Sequence, residues 1–369
     1  MDSLSYWEIK QWFQNVDFTI VGSGIVGLNC ALQLRKRFPA AKILILEKGF
    51  LPQGASTKNA GFACFGSLSE LIDDLKSHSE EEVVDLVRRR WNGLQLLRKN
   101  LGDLQIDFQE LKGFELFNDE ALFEKCVSQK EAINELLFPV FNKNVFTEKE
   151  NTFGFQKIIP RYIVNDFEGQ IDTGKMMSEL LKKARKKGIT IINNISVEDF
   201  MSKNNTVEIK TNKITFTSKQ LFIASNGFSK RLINEEVQPA RAQVLITKPI
   251  KNLHIKGTFH LEEGYYYFRN IDNRILLGGG RNLDFKGEET MEFSTTERIQ
   301  NKLEELLRKT ILPETNVEIE HRWSGIMGVG NQKKSIVKPI NANVFCGVRL
   351  GGMGVAIGSL VGKELADLV

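Results

Sequence analysis

The stretch Asp17–Leu34, DFTIVGSGIVGLNCALQL, decides the fold. An apolar run opens it, glycines fall at 22, 24 and 27, and apolar residues then recur at helical spacing. It reads as strand, tight turn and helix. Gly22 permits the turn, Gly24 lets a phosphate approach the backbone, and Gly27 lets the helix pack close to the strand. Ser23 is followed three residues later by Val26 rather than Glu or Gln, so no capping box consumes the first amide groups of the helix. Those amides stay available at its positive end. Outward from there, KILILE at 42–47 reads as a second buried parallel strand, closed by Glu47 twenty residues after Gly27. A carboxylate at that point accepts from ribose hydroxyls and disfavours a 2′-phosphate. Strand, glycine turn, helix and terminal acid together specify a dinucleotide site. Its expected residues are Gly22, Gly24, Ile25, Val26, Gly27, Glu47 and Lys48.

Which dinucleotide is decided further along. A nicotinamide domain continues strand–helix–strand through two mononucleotide halves, but here the alternation stops after the second strand. A small, polar loop follows, then a helical region over 68–100. Antiparallel-looking segments come next, near 106–118, 157–164, 243–249, 257–270 and 273–279, with Asp272-Asn273 suited to a tight turn. A second glycine-rich piece, GVRLGGMGVAIGS at 347–359, again precedes a helix. A second helix start aimed at the same ligand suits a flavin dinucleotide, whose ring gains negative charge on reduction.

The dinucleotide-binding part therefore returns twice, through a helix at 173–187 with the strand and meander that end in LFIASNG, and through the C-terminus. The expected fold class is α/β. A Rossmann-like FAD-binding domain from residues 1–75, 150–240 and 325–369 is joined to a mainly antiparallel, α+β substrate domain from 76–149 and 241–324.

Composition excludes other classes. The formal net charge is only +4, and no run of 18 apolar residues exists to span a membrane. The N-terminus carries acids and two tryptophans without an apolar signal core, so a cytoplasmic protein is expected. A short amphipathic helix over 5–15 reads best as packed on the body, with membrane skimming as the alternative. The basic run LLKKARKKG at 180–188 lies beside Met176, Met177, Leu180, Leu181 and Ala184 at helical spacing, which makes it a solvated helix face rather than a nucleic-acid patch. Cys30, Cys64, Cys126 and Cys346 form no CxxC pair, and the four histidines are scattered, so no metal site is expected.

These motifs, taken in order, resemble the D-amino-acid oxidase-like FAD oxidoreductases, the group of glycine oxidase, sarcosine oxidase and amine-oxidising relatives. The likeness covers nearly the whole chain, with gaps between motifs. GASTKNAGFACFGS is similar to the family's small-residue loop under the flavin, which implies Ser56, Thr57, Asn59, Ala60 and Gly61 as cofactor contacts. Val197 of NNISVEDF matches the position whose backbone meets the adenine. LFIASNG implies Ser225, Asn226 and Gly227 beside the FAD. PARAQVLITKP at 239–249 resembles the crossing into the substrate domain. HRWSGIMGVG and GVRLGGMGVAIGS resemble the closing motifs and imply Gly325, Arg349, Gly351, Gly352, Met353 and Gly354. The implied activity is oxidation of a C–N bond in an amino acid or amine by hydride transfer to flavin N5, with hydrolysis of the imine and onward transfer of electrons to oxygen or another acceptor. The resemblance places Tyr265 where a substrate-contacting tyrosine sits. The strand period puts Tyr265, Tyr267 and Arg269 on one face, with Tyr266 and Phe268 on the other. These three residues and Arg349 are the candidate catalytic set.

The sequence departs from the family's carboxylate clamps. One arginine position is Met327, and the other falls near Leu350, next to Arg349. Arg322, Arg349 or Arg281 remain as substitutes, so an amine or an N-substituted amino acid stays open as substrate. The 56–61 loop has no histidine, and small buried cysteines are common, so non-covalent FAD is expected. Two alternatives stay open: an FAD dehydrogenase of a hydroxy acid or of a substrate like glycerol 3-phosphate, for which His260 and His321 are the bases to test, and a flavin-binding module without metabolite turnover.

Overall fold

The protein is described by a computed structural model covering residues 4–369. Its first sheet is built from segments far apart in sequence. Five parallel strands lie in the order Val344–Val348, Thr215–Ile223, Val16–Val21, Ile43–Leu46, Thr190–Ile192, with Ile336–Asn341 antiparallel at one edge. Every residue of Ile43–Leu46 and Val344–Val348 is buried, as parallel strands covered on both faces require. One face carries the helices Ile25–Arg37, Thr173–Lys186 and Gly354–Ala366, whose Leu28, Leu34, Met176, Leu180, Val361 and Leu365 share a core with Ile20 and Phe222. The other face is closed by the meander Val197–Lys203 and Thr206–Thr211, through Val207 and Ile209 against Leu221 and Ile223.

The second sheet has eight strands in the order Ile319–Val329, Gln238–Thr247, Arg274–Gly279, Tyr266–Ile271, Thr258–Leu261, Gly113–Leu116, Arg161–Asn165, Phe146–Glu150. All neighbours are antiparallel except Thr258–Leu261 with Gly113–Leu116. One face buries Phe259, Phe268, Leu277 and Leu245 against the helix Glu297–Leu306. The opposite face presents the row His260, Tyr267, Gly278, Val244 toward the first sheet.

The structure moves several boundaries. Arg161–Asn165 pairs inside the second sheet, so the return to the first unit falls after 165 rather than at 150. The segment 76–149 is shared between units. Leu97 and Leu101 of the helix Glu80–Leu101 are buried in the first core, and a Cβ on Gly93 would lie 2.3 Å from the Ala356 carbonyl oxygen. The helical region over 68–100 breaks into Leu68–Asp74 and Glu80–Leu101, because Ser79 and Glu82 form a new capping box. The helices Glu120–Phe141 and Glu297–Leu306 are additions to the sequence reading; Asp119 caps the first through the Leu122 amide. The N-terminal segment is a single turn, Tyr6–Glu8, running into a wider one, Ile9–Phe13. Phe13 is buried with its ring 5.3 Å from Phe216, and Lys42 Nζ donates to the Gln14 carbonyl oxygen, so the segment packs on the body at this end, while Trp7 is 71% exposed. The helix Thr173–Lys186 buries Met176, Met177, Leu180 and Ala184 and turns its lysines outward. Among the described residues, no helix is long and apolar enough to cross a membrane.

Candidate flavin and substrate cavity

A cavity of about 520 Å³ lies between the two sheets. Its near wall is made by the amino ends of two helices, brought together by small residues. A Cβ on Gly358 would meet Ile25 Cγ2 at 2.7 Å, and one on Gly362 would meet the Val26 carbonyl oxygen at 2.6 Å. Ile25–Arg37 and Gly354–Ala366 therefore cross almost in backbone contact, and Gly24, Ile25, Val26, Met353, Gly354, Val355 and Ala356 all line the cavity. Neither N-cap residue, Gly24 or Met353, supplies a side-chain cap, so apart from the Ile25 amide, which Ser56 Oγ takes, amide donors and two positive helix ends face one space.

The glycine turn has the geometry a pyrophosphate needs. Gly22 sits at φ +103°, against the Ala224 carbonyl. A Cβ on Gly27 would lie 2.0 Å from the Gly22 carbonyl oxygen, so only glycine allows the helix to start there. Glu47 is buried and ties the turn together: Oε2 accepts from the Ser23 amide (3.0 Å) and hydroxyl (2.8 Å), and Oε1 accepts from the Gly49 amide (2.9 Å). Glu47 thus organises the loop as well as lining the site. Lys48 Nζ rests 3.6 Å above the Phe228 ring, and burial, together with Arg231, lowers its pKa.

Most of the expected cofactor residues line this cavity: Gly22, Gly24, Ile25, Val26, Glu47, Lys48, Ser56, Asn59, Ala60, Val197, Ser225, Asn226, Gly325, Gly351, Gly352, Met353 and Gly354. Ser56 Oγ accepts from the Ile25 amide at 3.0 Å, and the buried Ser225 Oγ has no protein partner. Five others stand behind the lining: Gly27, Thr57, Gly61, Gly227 and Arg349. Gly27 holds the helix to the strand. The Thr57 hydroxyl turns back to the Pro52 carbonyl oxygen (2.7 Å). A Cβ on Gly61 would meet the Ile171 carbonyl oxygen at 2.4 Å, and one on Gly227 would meet the Met327 carbonyl oxygen at 2.3 Å, so both are packing glycines.

On the second-sheet wall, Tyr265 and Tyr267 reach the cavity, but the two arginines of the candidate catalytic set do not. Arg269 is 2% exposed, and its guanidinium is consumed by the carbonyl oxygens of Ala60 and Ile171 (3.0 Å for the latter). Arg349 donates to Glu236 Oε2 (2.9 Å), the Glu236 carbonyl oxygen (3.1 Å) and the Lys334 carbonyl oxygen (3.0 Å). Its backbone is at φ +61°, with the amide on Asn226 Oδ1. Both arginines brace loops around the site. Arg322 is spent on Gln300 and Glu304. Arg281 is different. It lines the cavity, its guanidinium lies 4.8 Å from the Phe285 ring centroid, and its side chain makes no hydrogen bond or ion pair among the described residues. His260 and Met327 also line the wall, whereas His321 stacks on Trp323 outside it. Burial pushes the Tyr267 hydroxyl up to about 12. Phe62, Lys58 and Glu70 also line the cavity. Phe62 was legible only as part of a small-residue loop, and its ring meets both His260 (5.3 Å) and Tyr267 (5.5 Å).

Residues 17–368 match the family model described as DAO, FAD dependent oxidoreductase. The chain belongs to this family. Two helix ends, a glycine cradle, a carboxylate-pinned turn and an unpartnered serine fit the family's FAD, the cofactor on which its members depend. Similar proteins agree. A probable oxidoreductase, OrdL, of Haemophilus influenzae is 21% identical over 96% of this chain and 83% of its own length. The gamma-glutamylputrescine oxidoreductase of Escherichia coli is 23% identical over the same shares. The crystal structure of glycine oxidase from Geobacillus kaustophilus superposes with a TM-score of 0.76 at 19% identity, over 95% of this chain and 94% of that one. This FAD-dependent oxidoreductase fold therefore runs through both sheets.

Proposed function

We propose that this FAD-dependent oxidoreductase oxidises the C–N bond of a small amino acid or amine, with an amine-bearing carboxylate as the preferred class. The observation that carries the reading is Arg281, a half-buried guanidinium without a hydrogen-bond or ion-pair partner, lining the same cavity as Tyr265 and Tyr267. Burial lowers its pKa, an effect that a bound carboxylate would offset. A planar guanidinium grips a carboxylate through two parallel hydrogen bonds. Tyr265 is 38% exposed at the entrance and Tyr267 forms the floor, so one end of a bound amino acid meets Arg281 while the apolar rings exclude water. The names of the relatives support the class: one acts on a gamma-glutamylated diamine and another on glycine.

Bound FAD supplies a two-electron acceptor for the hydride released from the carbon bearing nitrogen. The chain's own residues bind and orient. The positive ends of the helices Ile25–Arg37 and Gly354–Ala366 favour negative charge on the cofactor side. The second-sheet wall, with Tyr265, Tyr267 and Arg281, would receive the substrate opposite. Cofactor attachment is read as non-covalent, because burial holds the Cys64 thiol well above its ordinary pKa and so keeps it from the reactive thiolate form.

The test is the anaerobic visible spectrum of the flavin-loaded protein, mixed with pools of amino acids, N-methyl amino acids, polyamines and hydroxy acids. Bleaching of the flavin bands by an amine-bearing pool is expected. Bleaching by hydroxy acids alone would move the function to the dehydrogenase alternative, and no bleaching by any pool would contradict turnover of these classes.

A further inference from the structure

One buried titratable pair stands at the cavity wall, outside the cofactor residues described above. His260 stands on Thr258–Leu261, in register with Tyr267, and is 6% exposed. Its Nε2 is 2.6 Å from Glu168 Oε1. Glu168 is 1% exposed, and its Oε2 has no hydrogen-bond partner. The carboxylate is packed against Gly113, where a Cβ would lie 2.3 Å from Oε2, so glycine in the neighbouring strand makes room for it. Phe62 closes one side of the imidazole. With Nε2 engaged, Nδ1 is the nitrogen left without a protein partner, and His260 is a lining residue of the substrate cavity.

A cavity-lining histidine pinned by a buried carboxylate, with its second nitrogen unpartnered, is the arrangement of an oriented base. We infer that His260, held in place by Glu168, accepts the proton of the substrate's ammonium group so that the amine is neutral when its C–H bond breaks. The inference rests on the C–N reading above. In the step, one N–H bond of the ammonium breaks and an Nδ1–H bond forms. The lone pair left on nitrogen then forms the C=N bond as the carbon's hydrogen departs with its electron pair to the flavin. The organic product is the iminium, which water hydrolyses, and the proton on His260 is returned to solvent. Glu168 touches no substrate in this scheme and is a positioning residue.

The electrostatics set the pH range. Burial alone lowers the His260 pKa, but the charge and hydrogen bond of Glu168, with Glu70 and Glu115, outweigh it and raise the value to about 9. The groups facing the ring are Glu168 from the loop before Gly169, Glu115 from Gly113–Leu116, Glu70 from Leu68–Asp74 and the neutral Tyr267 from Tyr266–Ile271. Glu115 is itself held by Ser67 and Ser69. The neutral, proton-accepting form therefore gains population as pH rises toward 9.

Two measurements test this. The first is histidine NMR titration of the flavin-loaded protein, whose four histidines, His78, His254, His260 and His321, are assigned by the resonance missing in His260→Gln. The His260 resonance is expected to titrate near pH 9 and to fall by at least one pH unit in Glu168→Gln. Titration near the ordinary histidine value, unmoved by Glu168→Gln, would overturn the inference whatever the substrate. The second is the rate of anaerobic flavin bleaching by the reactive amine pool across pH 6–10. The wild-type rate should rise through an alkaline limb, the limb should move to lower pH in Glu168→Gln, and His260→Gln should lose roughly 100-fold at pH 8. A limb that stays fixed in Glu168→Gln, or a rate unchanged in His260→Gln, would assign the limb to the substrate and overturn the inference. In that event bleaching itself would still stand, whereas failure of every pool to bleach would remove the C–N reading alone.

Discussion

Gly278 lies directly beneath the ring of Tyr267. A Cβ at 278 would sit 2.7 Å from Tyr267 Cε2 and 2.8 Å from Cζ and Oη. The two residues are register partners on adjacent strands, so the missing side chain of one is the space occupied by the other. Gly278→Ala should drive the ring out of the cavity floor. Such overpacking costs about 1–3 kcal/mol, and a misplaced floor should slow flavin reduction roughly 100-fold. Thermal unfolding and stopped-flow bleaching measure the two effects separately.

Arg281 should set affinity for the carboxylate. Removing a charge-assisted contact costs about 1.5–3 kcal/mol, so Arg281→Ala should raise KM about 10–100-fold for amino acids and change it little for amines without a carboxylate. Arg281→Lys should recover only part, because an ammonium does not reproduce the planar fork. Steady-state kinetics on matched pairs of an amino acid and its decarboxylated amine check the prediction.

Glu47 should govern flavin retention. Its carboxylate holds both Ser23 and Gly49, at the turn where the cofactor's phosphates are expected to lie. Glu47→Gln weakens charge-assisted hydrogen bonds that are about twice as strong as neutral ones. The expected result is a loss of flavin affinity of roughly tenfold, about 1.4 kcal/mol, read by fluorescence titration of the apoprotein with FAD.

Arg269 should act on stability rather than turnover. Arg269→Leu leaves the carbonyl oxygens of Ala60 and Ile171 buried without donors. An unsatisfied buried group costs about 1–3 kcal/mol, so Tm should fall by several degrees. Protein that remains folded should keep a near-normal KM. A specific rise in KM without loss of Tm would restore Arg269 to the substrate site.

The nucleotide half was legible because its signals are local. Gly22, Gly24, Gly27 and Glu47 sit at spacings that one strand, one turn and one helix impose, and the second glycine run marks another helix start. The second-sheet wall was legible as alternation, so Tyr267 and Phe268 fall on opposite faces as the period requires. What alternation does not encode is the neighbour across the gap. Arg269 shares the face of Tyr267, yet its guanidinium meets two carbonyls from distant loops. Arg349 lies in the right motif, but Glu236 claims it. Arg281 and His260 were each legible only as one candidate among several, and their places at the cavity follow from tertiary pairing. The helix Glu120–Phe141 had a readable start in Asp119, with Phe123 and Cys126 recurring on its inner face. The boundary at 150 failed because Arg161–Asn165 finds its partner some fifty residues upstream, in Gly113–Leu116.

The central claim is that the flavin is reduced by removal of hydride from a carbon bearing nitrogen, and a single anaerobic turnover tests it most directly. Flavin-loaded protein is mixed with the amine or amino acid that bleaches it, and the carbonyl product and the released ammonia or amine are counted per flavin reduced. One carbonyl and one nitrogen product per reduced flavin is the result predicted. Flavin reduction without release of a nitrogen product, or no reduction by any nitrogen-bearing substrate, would contradict it.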